Sequence, residues 1–97
     1  MTNNLKNIRN KLIPILKQNN VVKASVFGSY ARGKETKKSD IDMMIKYNGK
    51  MSLLDLIGLE QELEEKTGIK FDITTYKAIN YLIKDQVYKE QVVILDS

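Results

Sequence analysis

Two segments of this 97-residue chain alternate between apolar and other residues with the two-residue period of a β-strand. In residues 40–47, one strand face is aliphatic and the other carries Asp40 and Asp42; in residues 69–75, one face is apolar and the other carries Asp72. The apolar faces consist of Ile41, Met43, Ile45, Ile69, Phe71 and Ile73. If the two strands are neighbours above one core, the three carboxylates stand together on the open face of a sheet.

Three converging carboxylates need a compensating group. Two carboxylates about 4 Å apart repel each other by about 4 kcal/mol at an effective dielectric constant of about 20. Either a cation offsets this repulsion or one carboxyl group holds a proton. The chain contains no histidine and no cysteine, so oxygen ligands favour Mg²⁺ or Mn²⁺ over zinc. The alternative is that Asp40 and Asp42 only face solvent on a half-exposed strand.

The N-terminal segment predicts a helix followed by a strand. Apolar residues recur there with helical spacing, namely Leu5, Ile8, Leu12, Ile13 and Leu16. Pro14 interrupts this pattern, so the helix either kinks there or begins again with Pro14 in its first turn. The helix ends at residues 19–20, and the β-branched run of residues 21–27 predicts the first strand.

A second long helix is predicted after the turn at residues 48–49. Ser52 and Asp55 have the spacing of a capping box, and Gly68 marks the C-terminal end of the helix. The apolar residues on one side of this helix are Leu53, Leu56, Leu59 and Leu63. This stripe belongs either wholly to the core or partly to an interface.

The remaining elements complete the prediction of fold class. We expect a helix over residues 78–90 and a short strand over residues 91–95. Strands that alternate with helices indicate a single α/β (α+β) domain over residues 1–97. No apolar run approaches the roughly 20 residues of a membrane span, and the N-terminus does not resemble a signal peptide. We therefore expect a cytoplasmic protein that does not bind membranes.

The chain is basic, with a formal net charge of +4 and a pI near 9.3. This charge is compatible with a nucleic acid, a nucleotide or an acidic protein as partner. The sequence contains no helix-turn-helix, no RNP motif and no basic patch interleaved with aromatic residues. Direct binding of nucleic acid is therefore not expected.

Gly28 and Ser29 lie at the end of the first predicted strand. We expect Ser29 to cap a short helix through residues 30–32. Backbone N–H groups at such a helix start bind phosphate oxygens, and glycine lets the backbone approach a ligand closely. The stretch GSYARGKE nearly fits a P-loop, but Glu35 stands where that motif needs a hydroxyl group for Mg²⁺.

These residues together resemble a known superfamily. Gly28-Ser29, ten residues and then Asp40-Ile41-Asp42 match the G-S-x10-D-x-D signature of nucleotidyltransferases related to DNA polymerase β. The stretch FGSYARGKETKKSDIDMMI is similar to the minimal nucleotidyltransferases (MNT). KFDITTY resembles the third-strand motif of that group, and NYLIKDQVYKEQVVILD resembles its final helix and strand. The resemblance implies a small nucleotidyltransferase-type mixed sheet with helices packed on one face.

The resemblance also implies a reaction and its catalytic residues. Asp40, Asp42 and Asp72 are expected to be catalytic and to bind two Mg²⁺ ions. Asp72 is either a metal ligand only or also the base that takes the proton of the attacking hydroxyl group. The reaction implied is transfer of a nucleoside monophosphate, AMP from ATP, to an acceptor hydroxyl group.

The nucleotide and the partner are implied in the same way. Gly28 and Ser29 are expected to hold the β- and γ-phosphates of ATP, and Arg32 is expected to neutralise phosphate charge, with Lys38 as a weaker candidate. MNT proteins resemble the antitoxins of HEPN/MNT toxin–antitoxin pairs, so the acceptor implied is a tyrosine of a HEPN-domain toxin. The alternative is an antitoxin that is catalytically silent and neutralises its partner by binding alone.

Overall fold

A computed structural model describes residues 1–79 and 84–97 of the chain. The strands are β1 (Val21–Phe27), β2 (Ile41–Tyr47), β3 (Phe71–Thr75) and β4 (Val92–Asp96). The helices are α1 (Asn3–Gln18), α2 (Leu53–Thr67), α3 (Tyr76–Ile79) and α4 (Lys84–Glu90). The predicted α/β (α+β) class is therefore confirmed. β1 has the predicted bounds, whereas β2, β3 and β4 begin one or two residues after the predicted positions.

The four strands form one mixed sheet in the order β3-β2-β1-β4. β1 is antiparallel to both of its neighbours, and β2 is parallel to β3. The parallel pair begins where the Ile41 N–H donates to the Lys70 carbonyl oxygen at 2.9 Å. Ile41 then pairs with Phe71, and Asp42 pairs with Asp72. The two acidic strands are therefore neighbours, as convergence of their carboxylates requires.

The two long helices, α1 and α2, cover the aliphatic face of the sheet. The core that they share with β2 and β3 includes Leu5, Leu12, Leu16, Ile41, Met43, Ile45, Leu59, Leu63, Phe71 and Ile73. Pro14 lies at an exposed position inside α1, which runs as a single helix from Asn3 to Gln18. The helix therefore does not begin again at Pro14. No helix within residues 1–79 and 84–97 is long and apolar enough to cross a membrane.

The opposite face of the sheet carries a smaller apolar cluster. Met44, Tyr76 and Ile79 are buried in it, and Val87 of α4 packs against them. The Tyr76 hydroxyl is hydrogen-bonded to the buried Ser25 and donates to Gln91 Oε1 at 3.1 Å. The expectation that the helices pack on one face of the sheet therefore holds for α1 and α2, whereas α3 and α4 pack against the other face. The helix predicted over residues 78–90 is confirmed for α4, and residues 80–83 lie outside the described residues.

The ends of α2 have the predicted caps. The Ser52 hydroxyl accepts from the Asp55 N–H at 3.2 Å, and the Asp55 carboxylate accepts from the Ser52 N–H at 2.9 Å. Gly68 takes a φ of 73°, and its N–H donates to the Glu64 carbonyl oxygen at 2.7 Å. A capping box and a left-handed glycine satisfy backbone groups that a helix otherwise leaves unpaired.

The apolar stripe of α2 belongs only partly to the core. Leu59 and Leu63 are buried and Leu56 is half-buried, whereas Leu53 is 73% exposed. The N-terminal turn of α2 therefore presents leucine to solvent.

Gly58 lies in the middle of α2, and we expect the Gly58→Ala variant to be more stable than the wild type. A β-carbon at position 58 meets no heavy atom within 4 Å. Alanine loses less backbone entropy than glycine in a helix, so the free energy of unfolding should rise by about 0.5–1 kcal/mol. Urea unfolding measures this difference. An unchanged or lower free energy of unfolding for Gly58→Ala would contradict this prediction.

Candidate active site

Asp42 and Asp72 lie side by side on the face of the sheet opposite the main core. They are register partners on the parallel strands β2 and β3, and their neighbours Ile41 and Phe71 point into the core. Paired strands are about 4.8 Å apart. The structure therefore brings together two carboxylates that lie on different strands and are far apart in the sequence.

Asp40 completes a group of three acidic residues. It lies directly before β2, is exposed, and is two residues from Asp42, which is half-buried. Burial raises the pKa of Asp42, the charges of Asp72 and Asp40 raise it further, and the nearby Arg32 opposes this effect. Two of the three causes that raise this pKa are thus the neighbouring carboxylates.

Gly28 packs directly against Asp42. Phe27 at the end of β1 pairs with Asp42 on β2, so the residue after Phe27 faces the carboxylate. Gly28 has a φ of 73°, and a β-carbon there would overlap Asp42 Oδ2 and come within 3.3 Å of its Cγ. Only glycine fits both the backbone conformation and the space. The turn after β1 is therefore in contact with the acidic group.

The segment after Gly28 is a series of turns, so the short helix predicted through residues 30–32 is wrong. The Arg32 N–H donates to the Gly28 carbonyl oxygen at 3.2 Å, and the Lys34 N–H donates to the Ser29 carbonyl oxygen at 2.9 Å. Gly33 takes a φ of 69°, which ends the helical geometry after one turn. Ser29 remains next to Gly28 and is half-buried.

Arg32 is held by a residue that the sequence pattern did not indicate. Its Nη1 lies 3.1 Å from Oε2 of Glu90, the last residue of α4. The two residues are 58 positions apart, so no local spacing could have linked them.

A cleft of about 350 Å³ opens beside Asp40. Its lining includes Lys37, Lys38 and Lys70, all of which are exposed. Lys38, the weaker candidate for phosphate binding, therefore lies next to the acidic group.

The three carboxylates offer the oxygen ligands that Mg²⁺ and Mn²⁺ prefer. Among the residues that the structure describes, no three acidic side chains are gathered closely enough to hold a metal ion alone. The donor chemistry and the mutual repulsion of Asp40, Asp42 and Asp72 fit a divalent cation. Mg²⁺ usually binds only one or two protein carboxylates and takes its other ligands from water and substrate phosphates, so a closed cage of three carboxylates is not required.

We expect the Asp42→Asn variant to melt at a higher temperature than the wild type at neutral pH in EDTA. The pKa of Asp42 is higher in the folded protein than its ordinary value. The protonated Asp42 carboxyl group therefore favours the folded state. This contribution to stability is fully present below about pH 4 and is lost as the pH rises through the pKa of the folded protein. The difference in Tm should grow between about pH 4 and about pH 7. A difference that does not change over this range would contradict the raised pKa.

The chain matches known proteins over most of its length. Residues 10–97 match the family model described as polymerase beta, nucleotidyltransferase. A Methanocaldococcus jannaschii protein, provisionally named a protein adenylyltransferase, is 45% identical over 92 residues, which cover 95% of this chain and 99% of the relative. The protein adenylyltransferase MntA of Thermococcus cleftensis is 35% identical over 69 residues, which cover 71% of this chain and 70% of that protein.

Solved structures share the fold. One, provisionally named a minimal nucleotidyltransferase, has a TM-score of 0.77 and 28% identity, covering 92% of this chain and 91% of the other. A toxin–antitoxin complex with AMP-PNP has a TM-score of 0.81 and 22% identity, and the match covers 92% of this chain and 73% of the other. A complex of an MNT antitoxin with tri-AMPylated Shewanella oneidensis HEPN toxin has a TM-score of 0.74 and 19% identity, and the match covers 95% of this chain and 72% of the other.

The family match spans most of the chain, including the turn after β1 and all three acidic residues. Nearly the whole length of the Methanocaldococcus jannaschii relative aligns with it. The minimal nucleotidyltransferase structure has the same small mixed fold. This chain therefore belongs to the polymerase beta nucleotidyltransferase family and is itself a nucleotidyltransferase.

Proposed function

We propose that this nucleotidyltransferase transfers AMP from ATP to a tyrosine hydroxyl group of a HEPN-domain toxin and thereby acts as an antitoxin. The observation that carries the proposal is the contact between Gly28 and Asp42, with Asp72 in register beside Asp42. This contact places a glycine turn, which lets phosphates approach the backbone closely, beside carboxylates suited to divalent cations.

Asp40, Asp42 and Asp72 would hold two Mg²⁺ ions together with phosphate oxygens and water. Such ions stabilise charge on the phosphates and lower the pKa of an attacking hydroxyl group. Asp42 interacts electrostatically with both other acidic residues and lies next to Gly28, so it is the carboxylate that the two ions would share.

Gly28, Ser29 and Arg32 would bind the β- and γ-phosphates. Gly28 allows the phosphates to lie close to the backbone, since a side chain at this position would fill the space beside Asp42. Ser29 adds a hydroxyl donor in the same turn. Arg32 adds a guanidinium group near Asp42, where the charge of the triphosphate needs to be offset.

The transfer forms a bond between the acceptor oxygen and the α-phosphorus of ATP. The bond from the α-phosphorus to the bridging oxygen breaks, and pyrophosphate leaves. The proton of the acceptor hydroxyl group needs a base, and the chain contains no histidine. Asp72 is exposed on the edge strand β3, so it is open to an incoming acceptor and can take this proton or serve as a metal ligand only.

A protein acceptor is supported by what the similar proteins are called. Two of them are named as protein adenylyltransferases, one provisionally. One complex with this fold contains an MNT antitoxin and an AMPylated HEPN toxin. We infer the same kind of partner for this chain.

The test uses ATP labelled on its α-phosphate, Mg²⁺ and a HEPN-domain protein from the same genome, co-purified with this chain. We expect label on the HEPN protein with the wild type and none with the Asp40→Ala/Asp42→Ala double variant. Replacing the labelled tyrosine by phenylalanine should abolish labelling. Tight binding with no label from either form would refute the enzymatic proposal and favour an antitoxin that acts by binding alone.

A further inference from the structure

An ion pair links α4 to the turn after β1. Arg32 Nη1 and Glu90 Oε2 lie 3.1 Å apart, and the two side chains are 45% and 28% exposed. Within the ranges 1–79 and 84–97, no other pair of oppositely charged side chains lies within 4.0 Å. An ion pair as exposed as this contributes little to stability. The main effect of this ion pair is therefore to fix the position of the Arg32 side chain.

Glu90 occupies a position that helix preferences do not explain. It is the last residue of α4, where the helix dipole favours a cation and disfavours a carboxylate. Its second oxygen, Oε1, accepts from Gln86 Nε2 at 3.5 Å, one turn earlier in the same helix. Both carboxylate oxygens thus have a donor, one from α4 itself and one from Arg32.

The element that carries Glu90 is fixed to the sheet on both sides of this residue. Val87 packs against the cluster that contains Met44 of β2. Gln91, the next residue after Glu90, accepts the hydrogen bond from the Tyr76 hydroxyl at 3.1 Å. The position of Glu90 relative to the sheet is therefore fixed, so its carboxylate can hold the long, flexible side chain of Arg32.

Arg32 has donors left after this contact. Its guanidinium group carries five N–H donors, and the hydrogen bond to Glu90 uses only Nη1. Its backbone N–H is bonded to the Gly28 carbonyl oxygen, so the residue belongs to the same turn as Gly28 and Ser29. The remaining donors are available to a phosphate that binds at this turn.

We propose that Glu90 is a positioning residue for nucleotide binding: it holds the Arg32 guanidinium group beside the turn of Gly28 and Ser29, so that ATP phosphates meet it already oriented. This inference rests on the proposed function, because Arg32 must be a phosphate ligand for Glu90 to act through it. Pre-oriented donors lose less side-chain entropy on binding, so removal of Glu90 should weaken binding more than it slows the reaction.

The test compares wild type with Glu90→Ala, Glu90→Gln and Arg32→Ala. Binding is measured by calorimetry with Mg²⁺ and an ATP analogue that has a methylene group between its α- and β-phosphates. We expect Kd to rise about tenfold for Glu90→Ala, which is the lower end of the loss found when a residue that orients a metal ligand is removed. KM for ATP should rise by the same factor with kcat almost unchanged. Glu90→Gln, which keeps an oxygen acceptor for Arg32, should recover part of the affinity.

The double variant decides whether Glu90 acts through Arg32. Adding Glu90→Ala to Arg32→Ala should cause no further loss of affinity. Glu64→Ala, which removes an exposed carboxylate from α2, is the control for net charge and should bind as the wild type does. An unchanged Kd for Glu90→Ala would overturn the inference. So would a loss of affinity from Glu90→Ala that is as large in the Arg32→Ala background as in the wild type. In either case, labelling of the HEPN protein by the wild type would still support the proposed function. A wild type that does not bind the analogue would overturn both.

Discussion

The Asp42→Asn variant should transfer AMP about 10³-fold more slowly than the wild type, because metal ions contribute several kcal/mol to such reactions and each 1.36 kcal/mol is a factor of ten. Asparagine keeps the shape of the side chain but removes the charge that a divalent cation needs. The side chain stays next to Gly28, and the repulsion from Asp40 and Asp72 is removed. The variant should therefore be folded and nearly inactive. Initial rates of label transfer at saturating ATP measure the effect.

Asp85→Asn is the matched control for this prediction. Asp85 is exposed in the first turn of α4, and its replacement changes the net charge by the same amount. We expect this variant to transfer AMP at the wild-type rate. A loss of less than about tenfold in Asp42→Asn would show that the Asp42 carboxylate does not bind a catalytic metal ion.

The Gly28→Ala variant should lose about 100-fold in activity and about 1–2 kcal/mol in the free energy of unfolding. Gly28 has a φ of 73°, which alanine adopts only at an energetic cost. Its β-carbon would also overlap Asp42 Oδ2, so the carboxylate would have to move or the turn would have to shift. Either displacement separates the turn from the carboxylates. Label-transfer rates and urea unfolding measure the two effects.

The Gly49→Ala variant is the control that distinguishes the effect of backbone strain from the effect of overlap with the Asp42 carboxylate. Gly49 has a φ of 81°, and a β-carbon there meets no heavy atom within 4 Å. We expect this variant to lose a similar amount of stability from strain but to keep its activity. If Gly28→Ala and Gly49→Ala had the same activity, the contact between Gly28 and Asp42 would have no role in the reaction.

Local sequence patterns predicted most of the elements correctly. The capping box of Ser52 and Asp55, the stop at Gly68 and the strand Val21–Phe27 depend on residues close together in the chain, and all are present. The predicted helix at residues 30–32 was wrong for a local reason as well, since the left-handed Gly33 closes the turn. Long amphipathic segments predict structure better than a three-residue segment because they bury many apolar side chains.

The candidate site was predicted in part. The alternation of Asp40 and Asp42 with aliphatic residues placed both on the open face of one strand, and Asp72 on the open face of another. That β2 and β3 are adjacent, parallel and in a register that pairs Asp42 with Asp72 depends on packing of the sheet. A shift of one residue would have turned Asp72 toward the core.

The sequence by itself determined the chemistry that is available: carboxylates without histidine or cysteine, a Gly-Ser pair at a strand end, and strands with one apolar face. The tertiary structure alone decided which groups meet. It placed Gly28 against Asp42, and it brought Glu90 to Arg32 across 58 positions. The physical reason is that side-chain alternation is a property of each strand, whereas strand order, register and helix docking follow from burial of the whole apolar surface.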